Sequence, residues 1–306
     1  MTSLNVTLRT RSRKIDTAAI VAQRLKRLSS IETKLKRFTK MKLSQMQDLG
    51  GCRAVLKDVA AVDAVVKLYS SSTGKNRTKR HEFVSSDDYI RNPKLDGYRS
   101  YHLVYRYRSE SKKHSLYNGL KIEIQIRSRL QHAWATAVET VSTFTGQALK
   151  FSGGEEAWRR FFALMGSAIA LEEATPLVPG TPESPTALVS ELRALTSDLK
   201  VEAVLGAWGS ALKQLPPKKG TDAKAFLLYL DATAGTLDIN SYSADELQVA
   251  SDDYLAAEKK AEKVPGAQAV LVSVDSLAAL RSAYPNYFLD TRIFLQALRR
   301  AIRRTA

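Results

Sequence analysis

Residues 120–128 read LKIEIQIRS, in which apolar and polar positions alternate. Successive side chains of a strand point to opposite faces, so the pattern predicts a strand with one face of leucine and isoleucine. The other face carries Lys121, Glu123, Gln125 and Arg127. The apolar face predicts packing on a core, and the polar face raises the question of whether it meets solvent or a substrate.

Neighbouring segments of the N-terminal half predict a mixture of helices and strands. Apolar positions at helical spacing predict a helix over residues 16–40, and residues 48–72 predict a strand followed by a helix. Residues 98–108, YRSYHLVYRYR, predict a strand that pairs with 120–128 through a hairpin at Asn118-Gly119. Residues 128–144 predict a further helix.

The C-terminal half follows a segment rich in proline, serine, threonine and glycine at 176–187, which predicts a linker. Beyond it the sequence predicts a helix near 187–214, a hairpin over 226–242 around Ala234-Gly235, a helix with Ser243 as N-cap and Glu246 in the capping-box position, a strand at QAVLVSV and a short helix at 275–283. The predicted fold class is α+β, with a domain at 1–175, a linker at 176–187 and a small α+β domain at 188–306.

Charge is distributed unevenly between the halves. The formal net charge is +16: residues 1–160 hold 32 Lys and Arg against 14 Asp and Glu, a net of +18, and residues 161–306 hold 15 against 17, a net of −2. This asymmetry predicts that the N-terminal part binds a polyanion; the alternative is a basic protein that is merely soluble. The absence of a long apolar run, a secretory signal and a second cysteine predicts a cytoplasmic protein without a membrane span.

The segment QRLKRLSSIETKLKRF is the first candidate for chemistry. Ser30, Lys34 and Arg37 are spaced four and three residues apart, so on a helix they share a face, with Arg24 and Lys26 one to two turns earlier. A row of cations with a hydroxyl suits a triphosphate. The alternative is a solvated basic face.

The segment DLGGCRAVL offers a candidate metal ligand. Asp48 precedes two glycines, and Arg53 opens the following strand. A carboxylate in this place suits Mg²⁺, which binds one or two carboxylates together with phosphate oxygens. The alternative is a turn aspartate, and Cys52 is interpreted as a small buried residue and not as a nucleophile.

The segment YIRNPKLDGYRSYH reads as a loop that ends at an aromatic residue. Tyr98 at its exit is placed to stack on a base, with Lys94 and Arg99 reaching phosphates. The alternative is a surface loop closed by a core tyrosine.

Five motifs, taken in order, resemble the synthetase domain of the RelA/SpoT family. They are R-x-K-x3-S-x3-K-x2-R from Arg24 to Arg37, D-x-x-G-x-R from Asp48 to Arg53, N-P-K-x2-G-Y-R-S-x-H from Asn92 to His102, E-x-Q-I-R from Glu123 to Arg127 and Q-H-A-W from Gln131 to Trp134. The resemblance covers roughly residues 20–145, with no HD-type hydrolase motif before it, and implies a small synthetase. It also implies a nucleotidyltransferase-like mixed sheet flanked by helices.

The activity that this resemblance implies is transfer of the β,γ-pyrophosphate of ATP to a ribose 3′-hydroxyl, with release of AMP. Asp48 and Glu123 would hold Mg²⁺, and Glu123 would also accept the hydroxyl proton. The residues implied to bind ATP are Arg24, Lys26, Ser30, Lys34, Arg37 and Arg53. Those implied to bind the acceptor are Lys94, Tyr98, Arg99, His102, Gln125 and Arg127, with Tyr98 stacked on the base.

Three acceptor and function assignments remain open. Toxic members of the family are understood to modify the 3′ end of tRNA, and the net charge of +18 exceeds what a small acceptor needs, so tRNA is the preferred acceptor and inhibited translation the preferred outcome. Basic residues that could follow an acceptor stem are Arg9, Arg11, Arg13, Lys14, Lys75, Arg77, Lys79 and Arg80. The alternatives are a (p)ppGpp synthetase that acts on GDP or GTP in the stringent response, and a catalytically inactive RNA-binding regulator.

Tyr284 and Tyr287 form a Y-x-x-Y motif in the C-terminal half. A half of this kind looks like the antitoxin region of the fused CapRel-type toxin–antitoxins, in which one domain restrains the other and a phage capsid protein is thought to release it. The resemblance implies autoinhibition in antiphage defence. Pro285-Asn286 favours a turn that exposes a ring, and cation–π contact with Arg24 and Arg53 leads to the hypothesis that both tyrosines cover the ATP site, in a chain expected to be a monomer. The alternative is that the two tyrosines lie in a core.

Overall fold

The structure is a computed structural model of the 306-residue chain. It describes residues 2–26, 28–70, 81–148, 154–205, 213–214, 223–231, 234, 236–264, 267–273 and 291–304. None of the described helices is long and apolar enough to span a membrane.

The described strands form one mixed sheet. They are β1 (Ile20–Leu25), β2 (Gly50–Leu56), β3 (His81–Asp88), β4 (Tyr101–Tyr107), β5 (Lys121–Ser128), β6 (Lys213–Gln214), β7 (Ala225–Asp231), β8 (Thr236–Tyr242) and β9 (Gln268–Ser273). Their order is β3-β4-β5-β2-β1-β9-β7-β8-β6, with β2 parallel to β5, β6 parallel to β8 and the other neighbours antiparallel.

Helices flank this sheet, and the predicted α+β class is confirmed. The helices are α1 (Thr2–Ile15), α2 (Leu28–Arg37), α3 (Val59–Ser70), α4 (Lys112–Ser115), α5 (Arg129–Ala148), α6 (Gly154–Glu173), α7 (Pro185–Asp198), α8 (Leu247–Ala261) and α9 (Arg292–Arg303).

The register of the central strands aligns their polar positions. Gly51 of β2 lies between Arg24 of β1 and Glu123 of β5. One step along, Arg53 lies opposite Gln125, which is also opposite His102 of β4. Because directly opposed residues project to the same face, these side chains form two adjacent rows on one side of the sheet.

The other side of β5 is buried, as its alternation predicted. Ile122, Ile124 and Ile126 belong to a core cluster with residues of α1, α3 and β2, and the last two are fully buried. This packing holds the strand in the register that turns Glu123 and Gln125 away from the core, since a slip of one residue would reverse every side chain.

A second core lies among α5, α6, α7 and α9. Its largest side chains are Trp134, Trp158, Phe161, Phe162 and Phe294. The ring centroid of Phe294, from α9, lies 6.2 Å from that of Phe161 and 5.9 Å from that of Phe162. One core therefore contains residues from both sides of the predicted linker.

Part of the segment 176–187, which the sequence predicts to be a linker, packs on α6. The Val178 N–H donates to Ser167 Oγ at 2.8 Å, and the Ser167 and Thr181 hydroxyls lie 2.6 Å apart. Val178 is buried, and α7 already begins at Pro185. The proline and glycine content indicated irregular backbone, but composition does not report that this backbone is packed on α6. The division into two domains remains a prediction.

The predicted helix over 16–40 is wrong over residues 20–25, which form β1. Ile20 and Val21 are β-branched, which favours a strand, and β1 pairs with both β2 and β9. Those partners come from distant parts of the sequence, so local apolar spacing could not reveal them. The cations around Arg24 and Lys34 consequently lie on two different elements.

The antiparallel pairing of both predicted hairpins is confirmed, since β4 pairs with β5 and β7 with β8. However, β4 and β5 are joined by residues 108–120, which include α4, and not by a turn at Asn118-Gly119 alone. The predicted helices at α3 and α5 and the predicted strand at β9 are confirmed, whereas α1, β3 and α6 were not predicted. The helix predicted after Ser243 begins at Leu247, although the Glu246 carboxylate accepts the Ser243 N–H as a capping box requires. The helix predicted near 187–214 is α7, with further helical residues at 201–205. The predicted helix at 275–283 lies outside the described residues.

Candidate active site

A narrow cleft opens on the polar face of the sheet at β1, β2 and β5. It is lined by Arg24, Lys26, Asp48, Gly51, Cys52, Arg53, Glu123 and Gln125, six of which the sequence had assigned to ATP, metal or acceptor. Burial raises the pKa of the Cys52 thiol to about 12, so the thiol stays protonated, in keeping with its interpretation as a small buried residue. A larger cleft of about 1070 Å³ at the end of the β4–β5 hairpin shares none of these residues.

Asp48 lies just before β2, between two lysines from different elements. Lys26 Nζ is 2.7 Å from Asp48 Oδ2, and Lys34 Nζ, from α2, is 3.1 Å from Oδ1. Burial raises the pKa of this carboxyl, but the hydrogen bonds and charges of the lysines outweigh burial and hold the pKa below its usual value. Asp48 is therefore ionised at neutral pH.

Glu123 is held through both of its carboxylate oxygens. His102 Nδ1 lies 2.9 Å from Oε1, and Gln125 Nε2 donates to Oε2 at 2.7 Å. Burial raises the pKa of Glu123. The hydrogen bonds from His102 and Gln125 lower it, the charge of Asp48 raises it, and the net effect is a pKa below the usual value. Glu123 is ionised at neutral pH, and it lies close enough to Asp48 for the two charges to interact.

Tyr98 connects Glu123 to the neighbouring loop. Its Oη lies 2.8 Å from His102 Nε2 and accepts a hydrogen bond from Arg127 Nη2 at 3.2 Å. Arg127 Nη2 also donates to Gln125 Oε1 at 2.7 Å. The polar atoms of His102, Gln125 and Arg127 therefore bind Glu123, Tyr98 and one another, which differs from the expectation that each of the three contacts the acceptor.

The Tyr98 ring packs against the helical core. Its centroid lies 6.3 Å from that of Trp134 and 6.0 Å from that of Tyr89, and both rings meet it edge-on. Lys94 Nζ lies 5.2 Å from the Tyr98 centroid. Trp134 donates to the carbonyl of Phe162 at 2.9 Å, so it supports Tyr98 from α5. Trp134 had no predicted role, although the Q-H-A-W motif that contains it was the available signal.

Arg99 does not reach the cleft, contrary to the expectation that it binds acceptor phosphates. Its guanidinium is buried and donates to the carbonyls of Ile90 and Pro176 and to the Thr175 hydroxyl. It therefore fastens the chain on both sides of the Tyr98 loop to the end of α6.

Of the other predicted site residues, one lies outside the cleft, and the side chains of the rest lie outside the residues that the structure describes. Arg37 is exposed at the end of α2, with its guanidinium 5.5 Å from the Phe38 ring centroid. The side chain of Ser30 lies outside the described part of the chain, as do Tyr284 and Tyr287 and the basic segment 71–80.

Gly97 supplies backbone geometry that Tyr98 depends on. Its φ is +95°, and a Cβ there would lie 2.8 Å from the Phe162 carbonyl oxygen and 3.1 Å from the Trp134 ring. We expect Gly97→Ala to lower the free energy of unfolding by more than the roughly 1–3 kcal/mol that strained backbone alone costs, as measured by urea denaturation.

Gly119→Ala is the matched control for this prediction. Gly119 has a φ of +90°, but a Cβ there would meet nothing within 4 Å. The Gly119→Ala variant therefore has the backbone strain of a positive φ, but its Cβ does not clash with neighbouring atoms. Equal losses in the two variants would contradict the close packing of Gly97 on α6.

Known proteins resemble the part of the chain that forms this cleft. Residues 23–145 match the family model described as a region found in RelA / SpoT proteins. Over 121 residues the chain is 33% identical to the GTP pyrophosphokinase YjbM of Bacillus subtilis (strain 168), which covers 38% of this chain and 52% of that protein, so the chain spans about half the length of this curated relative.

Solved structures show a weaker overall similarity. A GTP pyrophosphokinase family protein from Streptococcus pneumoniae has a TM-score of 0.43 and 24% identity, over 56% of this chain and 84% of that chain. Small alarmone synthetase 1 from Bacillus subtilis, bound to its product pppGpp, has a TM-score of 0.39 and 21% identity, over 67% of this chain and 88% of that chain. Residues 23–145, the part of the chain that matches the RelA/SpoT family model, hold every residue that lines the cleft.

Proposed function

We propose that the chain transfers the β,γ-pyrophosphate of ATP to a ribose 3′-hydroxyl. The observation that carries this proposal is the cleft in which two ionised carboxylates, Asp48 and Glu123, lie among Lys26, Arg24 and Arg53. Cations on one side suit a triphosphate, and a held carboxylate on the other suits a hydroxyl that must lose its proton.

The reaction balances with Glu123 as the base. The acceptor O3′ attacks the β-phosphorus of ATP, the bond between that phosphorus and the oxygen bridging it to the α-phosphate breaks, and AMP leaves. The hydroxyl proton passes to the Glu123 carboxylate, which its lowered pKa keeps ionised. Positioning and electrostatic stabilisation supply most of the catalysis in transfers of this type.

Lysines from two elements provide the charge for the phosphates. Lys26 and Lys34 bind Asp48 in this structure, and both lie on flexible stems that can turn to a phosphate. Arg24 and Arg53 line the same cleft from β1 and β2. Binding of ATP would exchange the carboxylate partner of the lysines for phosphate oxygens.

The pair Asp48 and Glu123 fits Mg²⁺. Among the described residues no group of three or more histidine, cysteine or acidic ligands is present, and a pair of carboxylates completed by phosphate oxygens is the ligand set that Mg²⁺ prefers over an all-protein cage. When bound, the ion would neutralise charge that develops on the phosphates.

We infer that the acceptor is a guanosine nucleotide, GDP or GTP. The support is the relative from Bacillus subtilis, whose name is GTP pyrophosphokinase. The Tyr98 ring, with Lys94 beside it, supplies a stacking surface and a cation for such an acceptor.

The 3′ end of tRNA is a second candidate acceptor, with inhibition of translation as its consequence. The net charge of +18 on residues 1–160 favours it, because a polyanion gains from charges well outside a nucleotide pocket. Of the basic residues named for this surface, Arg11 lies 4.1 Å from the Tyr69 ring centroid, and Lys75, Arg77, Lys79 and Arg80 lie outside the described residues.

Incubation with γ-labelled ATP, Mg²⁺ and one acceptor at a time separates these candidates. We expect label on GDP or GTP together with AMP formation. Label on bulk tRNA, absent when the 3′-terminal ribose has been oxidised with periodate before the reaction, would establish the second candidate instead. No transfer to any acceptor would contradict the proposed activity and favour an inactive RNA-binding regulator.

We also propose that residues 188–306 restrain the synthetase. The support is the pairing of β9 with β1, in which Val272 lies opposite Arg24, a residue of the ATP side of the cleft. Release by a partner, such as the phage capsid protein that the CapRel-type resemblance implies, would act through this contact. A restraint of about 3 kcal/mol would keep the active form near 1%.

A further inference from the structure

The hydroxyl of Tyr98 is part of a closed circuit of hydrogen bonds around Glu123. The circuit runs from Glu123 to His102 (2.9 Å), Tyr98 (2.8 Å), Arg127 (3.2 Å), Gln125 (2.7 Å) and back to Glu123 (2.7 Å). Its members come from β5, β4 and the loop before β4, so the fold and not the local sequence brings them together.

The chemistry of the members decides which atoms donate. A carboxylate only accepts, so His102 Nδ1 and Gln125 Nε2 donate to Glu123. A guanidinium only donates, so Tyr98 Oη and Gln125 Oε1 accept from Arg127. The remaining bond joins Tyr98 Oη to His102 Nε2, and which of these two atoms donates depends on the proton on the His102 ring. Every polar atom of the circuit has a consistent role.

We propose that Tyr98 is a positioning residue for Glu123, in addition to stacking its ring on the acceptor base. The hydroxyl orients His102 and Arg127, and these fix the two oxygens of Glu123, directly through His102 and indirectly through Gln125. The inference rests on the proposed function, because it assumes that Glu123 is the base of the transfer.

Burial makes this support sensitive to a single oxygen atom. Arg127 is 2% exposed and His102 is 8% exposed, so solvent has little access to replace the hydroxyl. Without it, Arg127 Nη2 loses one acceptor and His102 Nε2 loses its hydrogen-bond partner, and buried polar groups tend to move when they are left without partners. A misplacement of about 1 Å in a reacting group can cost about 10²-fold in rate.

Tyr98→Phe separates the two roles, because phenylalanine keeps the stacking ring and lacks the hydroxyl. We expect kcat to fall about 10-fold. This lies between the effect on the rate of losing one hydrogen bond and that of displacing Glu123 fully. The acceptor KM should stay within about twofold of the wild-type value. Tyr98→Ala removes both roles and should also weaken acceptor binding about 5- to 150-fold.

Tyr89→Phe is the matched control, since it removes a hydroxyl from the adjacent ring. The oxygen of Tyr89 makes no hydrogen bond among the described residues, so the kcat and KM of this variant should not change.

A double-mutant cycle provides the second readout: Tyr98→Phe should lower kcat by less in a His102→Ala background than in the wild type, because the two residues act in one chain of hydrogen bonds.

An unchanged kcat in Tyr98→Phe would overturn the inference, and so would costs that simply add in the cycle. A lowered melting temperature with kcat and KM altered alike would assign the hydroxyl a structural role and also overturn it. A wild-type protein that transfers no pyrophosphate would overturn the proposed function itself, which distinguishes the two failures.

Discussion

Glu123→Gln is expected to lower the rate of pyrophosphoryl transfer by about 10²–10⁴-fold without unfolding the protein. Glutamine has nearly the same shape, but it cannot accept the hydroxyl proton and is a poorer metal ligand. Its amide nitrogen would also face a donor, since His102 and Gln125 both donate to this position. Initial rates with saturating ATP and acceptor, together with a melting curve, would measure the effect.

Glu155→Gln serves as the control for this substitution. Glu155 lies on α6 with its side chain 76% exposed, so the same chemical change there should leave the rate as it is in the wild type. A Glu123→Gln protein that works within a factor of two of the wild type would remove Glu123 from the mechanism, and the inference about Tyr98 with it.

Phe294→Ala is expected to destabilise the protein by about 3–5 kcal/mol, the usual cost of truncating a fully buried phenylalanine. Phe294 is 0% exposed and meets Phe161 and Phe162 of α6, which belong to the predicted N-terminal domain 1–175. Urea denaturation followed by tryptophan fluorescence reports this core directly, because Trp134 and Trp158 belong to it.

Ile293→Ala, one residue away on the same helix, is the comparison. Ile293 is 51% exposed, so its truncation should change the free energy of unfolding by much less. If Phe294→Ala left the fluorescence transition in place, α9 would not belong to the same cooperative unit as α5 and α6, and the two halves would unfold independently.

Alternation along β5 predicted correctly which of its side chains share the cleft face, because that property is set within the strand itself. The contact between His102 and Glu123 depends on the register of β4 against β5, which joins positions 21 residues apart. No local pattern contains that information. The roles of His102, Gln125 and Arg127 as one another's partners were therefore not accessible before the strands were paired.

The segment around Arg24 shows the opposite limit. Its apolar spacing fits a helix, and the family motif is the same in either conformation. Arg24 and Lys26 of the motif line the cleft, Arg37 does not, and the predicted element was wrong. Pairing with β2 and β9 overrides the local preference. The prediction that Arg99 binds phosphates was wrong for a related reason. The burial of Arg99 against the end of α6 depends on tertiary packing, which a loop sequence does not report.

The position of β1 between β2 and β9 has a consequence for any shortened form of the protein. A chain ending at residue 175 would lack β9, and the Gln23–Arg24 stretch would become the open rim of the sheet. Unpaired backbone groups on such a rim invite pairing with another molecule, which leads to dimers or to precipitation. Loss of solubility in a truncated protein would then reflect an uncovered strand beside the nucleotide cleft, and growth arrest would have to be separated from aggregation before it is taken as unrestrained synthetase activity.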